Sequence, residues 1–387
     1  MSGSLIRECS SHGRRRGVIA LLAAFFLLFV AACSSGTTES GSSGETDDAA
    51  VTAAQERLAP FVIPVAETKI EVDTPLTARP PAGKNVRVIR YNNAASGEFD
   101  QPMKDAGAAL GWNVNISPVD ATDPQAIPNE MIRAVSQKVD YIVVTASSIQ
   151  AAGAGMDAAK KAGVPVFFGA GLDEPQGEAN GLYGNTLRTT TNLAVLAMLD
   201  QMIVDSGGAG SALLVNAPDS SQVLAPIDDS AKQYVAENCP KCSLDTLDIA
   251  AADLGGDIAS KVVAKIRQSP ETQYVITTFT DLAVGLAPAL GAAGLNDVQP
   301  YLSGLTEPEV ELVKDGTYPA GNLYPINDYP WLLFDQIARF SVGMDTLQAE
   351  HDSTGLQLWT TETVPDGMTS WDPPNYQEQY KELWQIS

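Results

Sequence analysis

The sequence predicts an α/β protein made of two lobes, each built on a parallel β-sheet. Short apolar segments rich in β-branched residues alternate with segments of helix length from residue 85 onward. The alternation starts again after residues 190–204, where leucines recur at helical spacing, and Gly207-Gly208-Ala209-Gly210 separates the two runs. Such alternation is typical of parallel sheets whose two faces are covered by helices. Ligands of these sheets bind beyond the carboxyl ends of the strands.

The first 32 residues predict a secretory signal. The basic cluster Arg14-Arg15-Arg16 precedes an apolar run over residues 18–32, which is shorter than the about 20 residues of a membrane span. Cys33 follows two alanines, an arrangement that resembles the bacterial lipobox, whose cysteine is lipidated and becomes the mature N-terminus. A plain signal peptide cut near Ala32 is the alternative. We expect lipidation and an extracytoplasmic protein anchored to the cell membrane, because the polar residues 34–38 provide a tether.

Residues 33–83 are interpreted as a tether and an extended linker. Residues 34–48 consist only of Ser, Gly, Thr and acidic residues, and this composition cannot bury a core. Residues 49–58 predict a short helix, and the proline-rich residues 60–83 predict an extended path along a domain surface.

The two runs of strands and helices follow in order. In the first run, the predicted strands are 86–91, 114–119, 141–145, 164–168 and 182–184, and the predicted helices are 98–110, one that begins at Pro128, and 149–161. In the second run, the predicted helices are 190–204, 227–238, 258–268, 282–293 and 309–314, and the predicted strands are 212–215, 244–249, 274–278 and 301–303.

The mature chain is strongly acidic, which excludes nucleic acid as a partner. Beyond residue 32 it has 20 Lys and Arg against 46 Asp and Glu, a net charge of −26. This charge repels phosphate backbones and keeps the protein off anionic lipid except through its anchor.

Two cysteines remain once Cys9 leaves with the signal and Cys33 takes lipid. Outside the cytoplasm, the close spacing of Cys239 and Cys242 favours a structural disulfide. A thioredoxin-like redox pair would open a helix after a strand, whereas this pair follows a predicted helix and precedes a predicted strand. We expect no metal site, because His351 is the one histidine of the mature chain.

The sequence lacks the motifs of common hydrolases. It has no Gly-x-Ser-x-Gly, Ser-x-x-Lys or His-Glu-x-x-His string. Gly153-Ala154-Gly155 starts a string similar to a dinucleotide-binding motif, but it lies inside predicted helix 149–161 rather than at a strand–helix turn. We therefore expect a protein that is not an enzyme and uses no cofactor.

Several segments match the motifs of one known protein family. Residues 120–144 with Gly163-Val164-Pro165-Val166 look like part of its amino half. Thr280-Asp281-Leu282-Ala283-Val284-Gly285 is similar to its Asn-Asp-x-x-Ala-x-Gly turn, and Ser303-Gly304 with Asp315-Gly316-Thr317 is similar to its late strand and turn. These segments resemble the periplasmic sugar-binding family of the ribose-binding type, which feeds ABC transporters. The likeness covers residues 84 to about 384, and the lipobox, residues 80–84 and residues 376–384 resemble its lipoprotein members.

The resemblance implies a type I periplasmic binding protein fold, in which two Rossmann-like lobes with parallel sheets are joined by a three-strand hinge. The amino lobe would be residues 84–186 plus 326–351, and the carboxyl lobe 189–323 plus 356–387. A small solute, expected to be a carbohydrate, would lie between the lobes, and their closure would present it to an ABC permease. We expect the protein to be a monomer.

The resemblance also implies which residues hold the solute. Asp281 stands at the family's sugar-binding aspartate, where a carboxylate can accept two hydroxyl hydrogen bonds. The alternative role for Asp281 is the N-cap of helix 282–293. The other implied ligand residues are Asn92 and Asn93 after the first strand, Phe99 over the sugar, Asn185 before the first hinge, and Tyr324 and Trp331 beside the second. Core packing is the alternative for the three aromatic residues.

This sequence departs from the family's pattern at four places and lacks two of its charged donors. Gly169-Ala170-Gly171 replaces Asp-Arg after the fourth strand, and Ala217-Pro218-Asp219-Ser220 lacks the arginine that often follows the first strand of the carboxyl lobe. Thr280 replaces the family's Asn, and Gly304-Leu305-Thr306 replaces Gly-Phe-Asp. The solute could therefore be a sugar, a sugar derivative, a polyol or a less hydroxylated molecule.

The leading functional hypothesis is a lipid-anchored receptor that delivers a solute to an ABC importer. One alternative is a sensory receptor that passes its ligand-bound state to a signalling partner. Another is a secreted α/β hydrolase-type enzyme, which the missing nucleophile–base pair disfavours. A regulator of the lac-repressor type shares the fold, but a signal peptide occupies the place of its DNA-binding helices.

Overall fold

The computed structural model of the protein describes residues 46–347 and 351–386. The signal, the lipobox and Cys33 lie outside the described residues. Within them, no helix is both long and apolar enough to cross a membrane.

Two β-sheets organise the chain, one in each lobe. The amino-lobe strands are β1 (Asn85–Tyr91), β2 (Asn113–Val119), β3 (Tyr141–Thr145), β4 (Val166–Gly169) and β5 (Leu182–Thr186). The carboxyl-lobe strands are β6 (Ser211–Asn216), β7 (Ser243–Asp248), β8 (Tyr274–Thr277), β9 (Gln299–Leu302), β10 (Ala320–Leu323) and β11 (Gln357–Thr360). The strand orders are β2-β1-β3-β4-β5 and β11-β10-β9-β8-β6-β7. All pairs are parallel except β10 with β11 at the sheet edge.

Helices cover both faces of each sheet, so the prediction of two lobes on parallel sheets is confirmed. Ile142, Val143 and Val144 of β3 are fully buried because this central strand has helices on both sides. The helices are α1 (Asp48–Leu58), α2 (Ala94–Gly97), α3 (Asp100–Ala109), α4 (Ala126–Ser136), α5 (Ile149–Ala162), α6 (Thr190–Asp205), α7 (Ile227–Asn238), α8 (Ile258–Ile266), α9 (Leu286–Ala292), α10 (Glu307–Lys314), α11 (Asp328–Ser341) and α12 (Tyr376–Leu383).

Two elements differ from the sequence-based expectation, and one short predicted helix is present. Predicted helix 282–293 is a 3-10 turn, Thr280–Ala283, followed by α9, because Gly285 between them has a left-handed backbone with φ of 73°. The short helix predicted over residues 49–58 is confirmed as α1, which packs on α6. Helix α12 was expected in the carboxyl lobe, but it packs on α11 in the core of the amino lobe.

Cys239 and Cys242 are joined by a disulfide directly after α7, with Cα atoms 5.2 Å apart. Cys239 is buried in the carboxyl-lobe core beside α6 and α7, and Cys242 packs against the same cluster. This location suits a structural bond. Its oxidised state in the exported protein stays a prediction.

Candidate solute-binding cleft

The two lobes meet through the segments that follow their strands. Gln222, after β6, donates a hydrogen bond from Nε2 to the Oγ of Ser148, after β3, over 2.8 Å. The same Ser148 oxygen accepts from the backbone N–H of Ala151 and so begins α5. The carboxyl edges of both sheets therefore face one cleft, which is where open parallel sheets bind ligands.

A cavity of about 500 Å³ opens between these edges. Glu98 lines it from the amino lobe, and Leu305, Thr306 and Tyr324 line it from segments after β9 and β10. This volume lies in the range of small-molecule sites, about 300–1,000 Å³.

The amino-lobe edge is built from strained turns. Ala146, Ala170 and Leu187 each directly follow a strand, and each has a left-handed backbone, with φ of 52°, 58° and 67°. Backbone pairing extends one residue past β3 and β4, since the N–H groups of Ala146 and Ala170 donate to the carbonyls of Gly169 and Thr186 over 2.7 Å. A left-handed non-glycine residue costs roughly 1–2 kcal/mol, and such strain concentrates at functional sites.

Two tyrosines place their hydroxyl groups against glycines at the strand ends. A Cβ atom on Gly169 would overlap the hydroxyl of Tyr329, and one on Gly304 would lie 2.7 Å from the hydroxyl of Tyr324. Burial raises the pKa of both phenols, so both stay neutral and able to donate. The Gly169-Ala170-Gly171 string, which lacks the family's charged pair, thus makes room for a tyrosine hydroxyl.

Three hydroxyl groups at strand ends were missed by the sequence reasoning. Ser147, Thr277 and Ser303 stand at the carboxyl ends of β3, β8 and β9, are at most 4% exposed, and have no hydrogen-bond partner among the described residues. A buried unpaired hydroxyl costs about 1–3 kcal/mol, so each one calls for an explanation such as a ligand. The available signal was a hydroxyl residue ending an apolar strand, which is common in sequences.

Asp281 is exposed and lies within the 3-10 turn after β8. Its carboxylate makes no hydrogen bond or ion pair within the described part of the chain. The alternative role as a helix N-cap is wrong, because α9 begins after Gly285 and neither helical segment is capped by Asp281. Its role as a solute ligand stays a prediction.

The structure gives the predicted asparagines different surroundings. Asn92 is exposed after β1, and Asn93 accepts a hydrogen bond from the N–H of Ser96 over 2.8 Å to begin α2. Asn185 is fully buried, and its amide accepts from the N–H of Gly171 and donates to the carbonyl of Asp173. Asn185 therefore positions the loop after β4 through both ends of its amide, and its role as a solute ligand stays a prediction.

The predicted aromatic residues also separate. Phe99 is half-buried and packs edge-on against Tyr329, with ring centroids 5.1 Å apart. Tyr324 lines the cavity, as a cleft residue should. Trp331 is 1% exposed and stacks on Trp384, with ring planes 4° apart. It therefore has no free face for a solute. Core packing, the alternative role given for Trp331, is the one observed.

The cleft has almost no positive charge. The segments that follow β1 to β10 contain no lysine and one arginine, Arg188, which pairs with Asp352. Arg90, on β1, is held by Asp100 through Nε at 2.6 Å. An anionic solute would thus lack a cation to neutralise it, and burying an unpaired charge is costly.

A sequence profile of the periplasmic binding protein domain matches residues 86–339. The chain belongs to the periplasmic binding protein family. The resemblance to periplasmic binding proteins found in the sequence is therefore confirmed. The family is one of binding proteins rather than enzymes. No curated protein matches the chain.

Solved structures share the fold of the family. A periplasmic ribose ABC transporter protein from Conexibacter woesei is 17% identical with a TM-score of 0.62, over 74% of this chain and 95% of its own. An ABC transporter solute-binding protein from Mycobacterium smegmatis, with bound glycerol, is 15% identical with a TM-score of 0.59, over 76% and 99%. One from Actinobacillus succinogenes, with bound D-allose, is 14% identical with a TM-score of 0.60, over 73% and 99%. About a quarter of this chain thus lies outside the shared fold.

Proposed function

We propose that the protein binds a small, uncharged, hydroxylated solute, such as a sugar or polyol, and delivers it to an ABC importer from a lipid anchor at Cys33. The observation that carries the proposal is the set of buried, unpartnered hydroxyls of Ser147, Thr277 and Ser303 at strand ends of both lobes. A hydroxyl can both donate and accept, so it complements another hydroxyl.

Two further findings support an uncharged solute. The cleft segments carry no cation except the paired Arg188. The structural relatives from Mycobacterium smegmatis and Actinobacillus succinogenes hold glycerol and D-allose, both neutral polyhydroxyl molecules. A thermal-shift screen of the fragment from residue 34 against neutral sugars and polyols tests the proposal. We expect at least one to raise the melting temperature, and stabilisation by none of them would contradict it.

Asp281→Asn should weaken binding of the solute found in this screen by about 1.5–3 kcal/mol, the range for hydrogen bonds to a charged group. Stability should barely change, because the exposed carboxylate caps no helix. Titration calorimetry measures the affinity, and Asp297→Asn is the matched control, since Asp297 is an exposed acid before β9, at the opposite edge of the sheet. An affinity within a factor of two of the unmodified protein would place Asp281 outside the binding site.

Cys33→Ala should release the protein from the membrane fraction while leaving its export largely intact. The physical reason is that the mature chain, as predicted, has no other attachment to lipid, and stable anchoring needs more than one acyl chain on this residue. Fractionation with immunoblotting measures the distribution. Unchanged membrane retention of the variant would exclude lipidation at Cys33 as the anchor.

A further inference from the structure

Both ends of the described chain connect the two lobes in addition to the hinge. We call residues 46–76 the strap and residues 371–386 the tail. The family profile spans residues 86–339, so both segments lie outside the shared domain.

The strap begins firmly attached to the carboxyl lobe. Ala50, Ala54 and Leu58 of α1 are buried in the cluster formed by α6 and α7. Arg57 donates from Nε and Nη2 to the Asp200 carboxylate at 3.0 and 2.7 Å, and the Tyr234 hydroxyl donates to the same carboxylate at 2.7 Å. Asp200 is nearly fully buried, so this pairing holds α1 in one place.

The strap then crosses to the amino lobe within a few residues. Val65 is buried in the carboxyl-lobe core, whereas Ile70 and Val72 are buried in the amino-lobe core. Between them the chain is shortened by a turn, in which the N–H and hydroxyl of Thr68 donate to the carbonyl of Val65 at 3.2 and 2.7 Å. The strap also closes a cavity of about 150 Å³ against residues 353–357, which form the return of the chain to the carboxyl lobe. It therefore lies beside the hinge.

The tail makes a second additional crossing. Trp371 is buried in the carboxyl-lobe core and donates from Nε1 to the carbonyl of Leu323 over 3.0 Å. Asp372 accepts hydrogen bonds from the backbone of Asn327 and Asp328, both at 2.9 Å, where the chain leaves β10. After Pro373-Pro374, a stiff pair, the tail enters the amino lobe.

Strap and tail end side by side on the amino lobe. The N–H of Leu76 donates to the carbonyl of Leu383 over 2.9 Å. Arg339 of α11 donates from Nη2 to the carbonyl of Thr74, and its Nε donates to Asp335, which also accepts from Trp384 of the tail. The two terminal segments are thus fastened to each other and to α11.

We propose that the strap and tail form a clasp that limits how far the lobes open. The step from Val65 to Ile70 can span at most roughly 18 Å when fully extended, and reaching that length requires the Thr68 turn to unwind. Any opening that moves Val65 farther than this from Ile70 must break the turn or detach a buried anchor. The clasp would restrict the ligand-free protein to partly open states.

Lengthening the strap tests this inference without any solute. Six Gly and Ser residues are inserted between Ala66 and Glu67, inside the crossing. The same protein carries both Glu98→Cys and Glu307→Cys, and a spin label is attached to each new cysteine. Glu98 and Glu307 line one cavity from the two lobes, so the distance between the labels reports how far the lobes are open. We expect the inter-label distances of the ligand-free protein to shift to longer values and broaden. A two-residue insertion at the same point should give a smaller shift.

The matched control is the same six-residue insertion between Val62 and Ile63, exposed residues that precede the crossing. It leaves the step from Val65 to Ile70 unchanged, so its distances should equal those of the unmodified strap. Equal distance distributions for the crossing insertion and the unmodified protein, or an equal shift in the control, would overturn the proposal. The outcome does not depend on the solute or on the proposed function.

Discussion

Replacing Asp335 with alanine should lower the free energy of unfolding by about 3–5 kcal/mol, the cost of breaking a buried ion pair. Asp335 is fully buried on α11. One carboxylate oxygen accepts from Arg339 Nε at 2.5 Å and from His351 Nε2 at 2.9 Å, and the other accepts from Trp384 Nε1 at 2.8 Å. Burial alone would raise the pKa of Asp335, but His351 and Arg339 hold it below its usual value. The carboxylate is therefore charged and stabilises the fold at neutral pH.

Urea denaturation of the fragment from residue 34 measures this effect. Asp366→Ala is the control, since Asp366 is exposed and an ordinary surface substitution changes stability by at most about 0.5 kcal/mol. A loss below 1 kcal/mol for Asp335→Ala would show that the cluster contributes little to the joining of α11, His351 and the tail.

Stability should fall as pH rises from about 4 to 7, and Asp328→Asn should remove much of that fall. Burial is the main cause that raises the pKa of the Asp328 carboxyl to about 7. The Tyr380 hydroxyl lowers this pKa, and the negative charge of Asp372 raises it. The unfolded pKa is about 3.9, so between these values the folded protein keeps a proton that the unfolded chain has lost. The stabilisation is complete below pH 4 and is lost as the pH passes through 7.

The variant carries a neutral side chain of the same size at every pH. At pH 8 it should therefore be more stable than the unmodified protein by up to about 4 kcal/mol, the equivalent of three pKa units. At pH 4 the two proteins should be similar. Urea denaturation at both pH values measures the difference, and a constant offset between the two proteins would contradict ionisation of Asp328 as its origin.

The alternation of strands and helices could be predicted because each central strand is a short apolar run. β3 is an example, since burial on both faces makes its whole length apolar. The part after residue 314 could not be predicted in the same way. Helix α11 is buried around nearly its whole circumference, and its buried charged residues Asp335 and Arg339 look in the sequence like a solvent-exposed face. β10 is four residues long and contains glycine and asparagine, which are rare in strands.

The site was less predictable than the fold, for physical reasons. The place of Asp281 after β8 follows from local sequence, but the local sequence does not reveal that Gly285 delays the helix. The stacking of Trp331 on Trp384 joins residues far apart in the chain, and no spacing encodes it. The unpartnered state of Ser147, Thr277 and Ser303 depends on what surrounds them in space.

The most direct test of the central claim is a calorimetric comparison of one sugar in three charge states. The neutral sugar or polyol that stabilises the protein most is titrated beside its carboxylate and phosphate derivatives. The proposal rests on the unpartnered hydroxyls of Ser147, Thr277 and Ser303 at strand ends and on the segments that follow β1 to β10, whose one cation, Arg188, is paired. The account predicts that the neutral form binds and that both anions bind at least about tenfold more weakly, a difference of about 1.4 kcal/mol. Equal or tighter binding of either anion would contradict it.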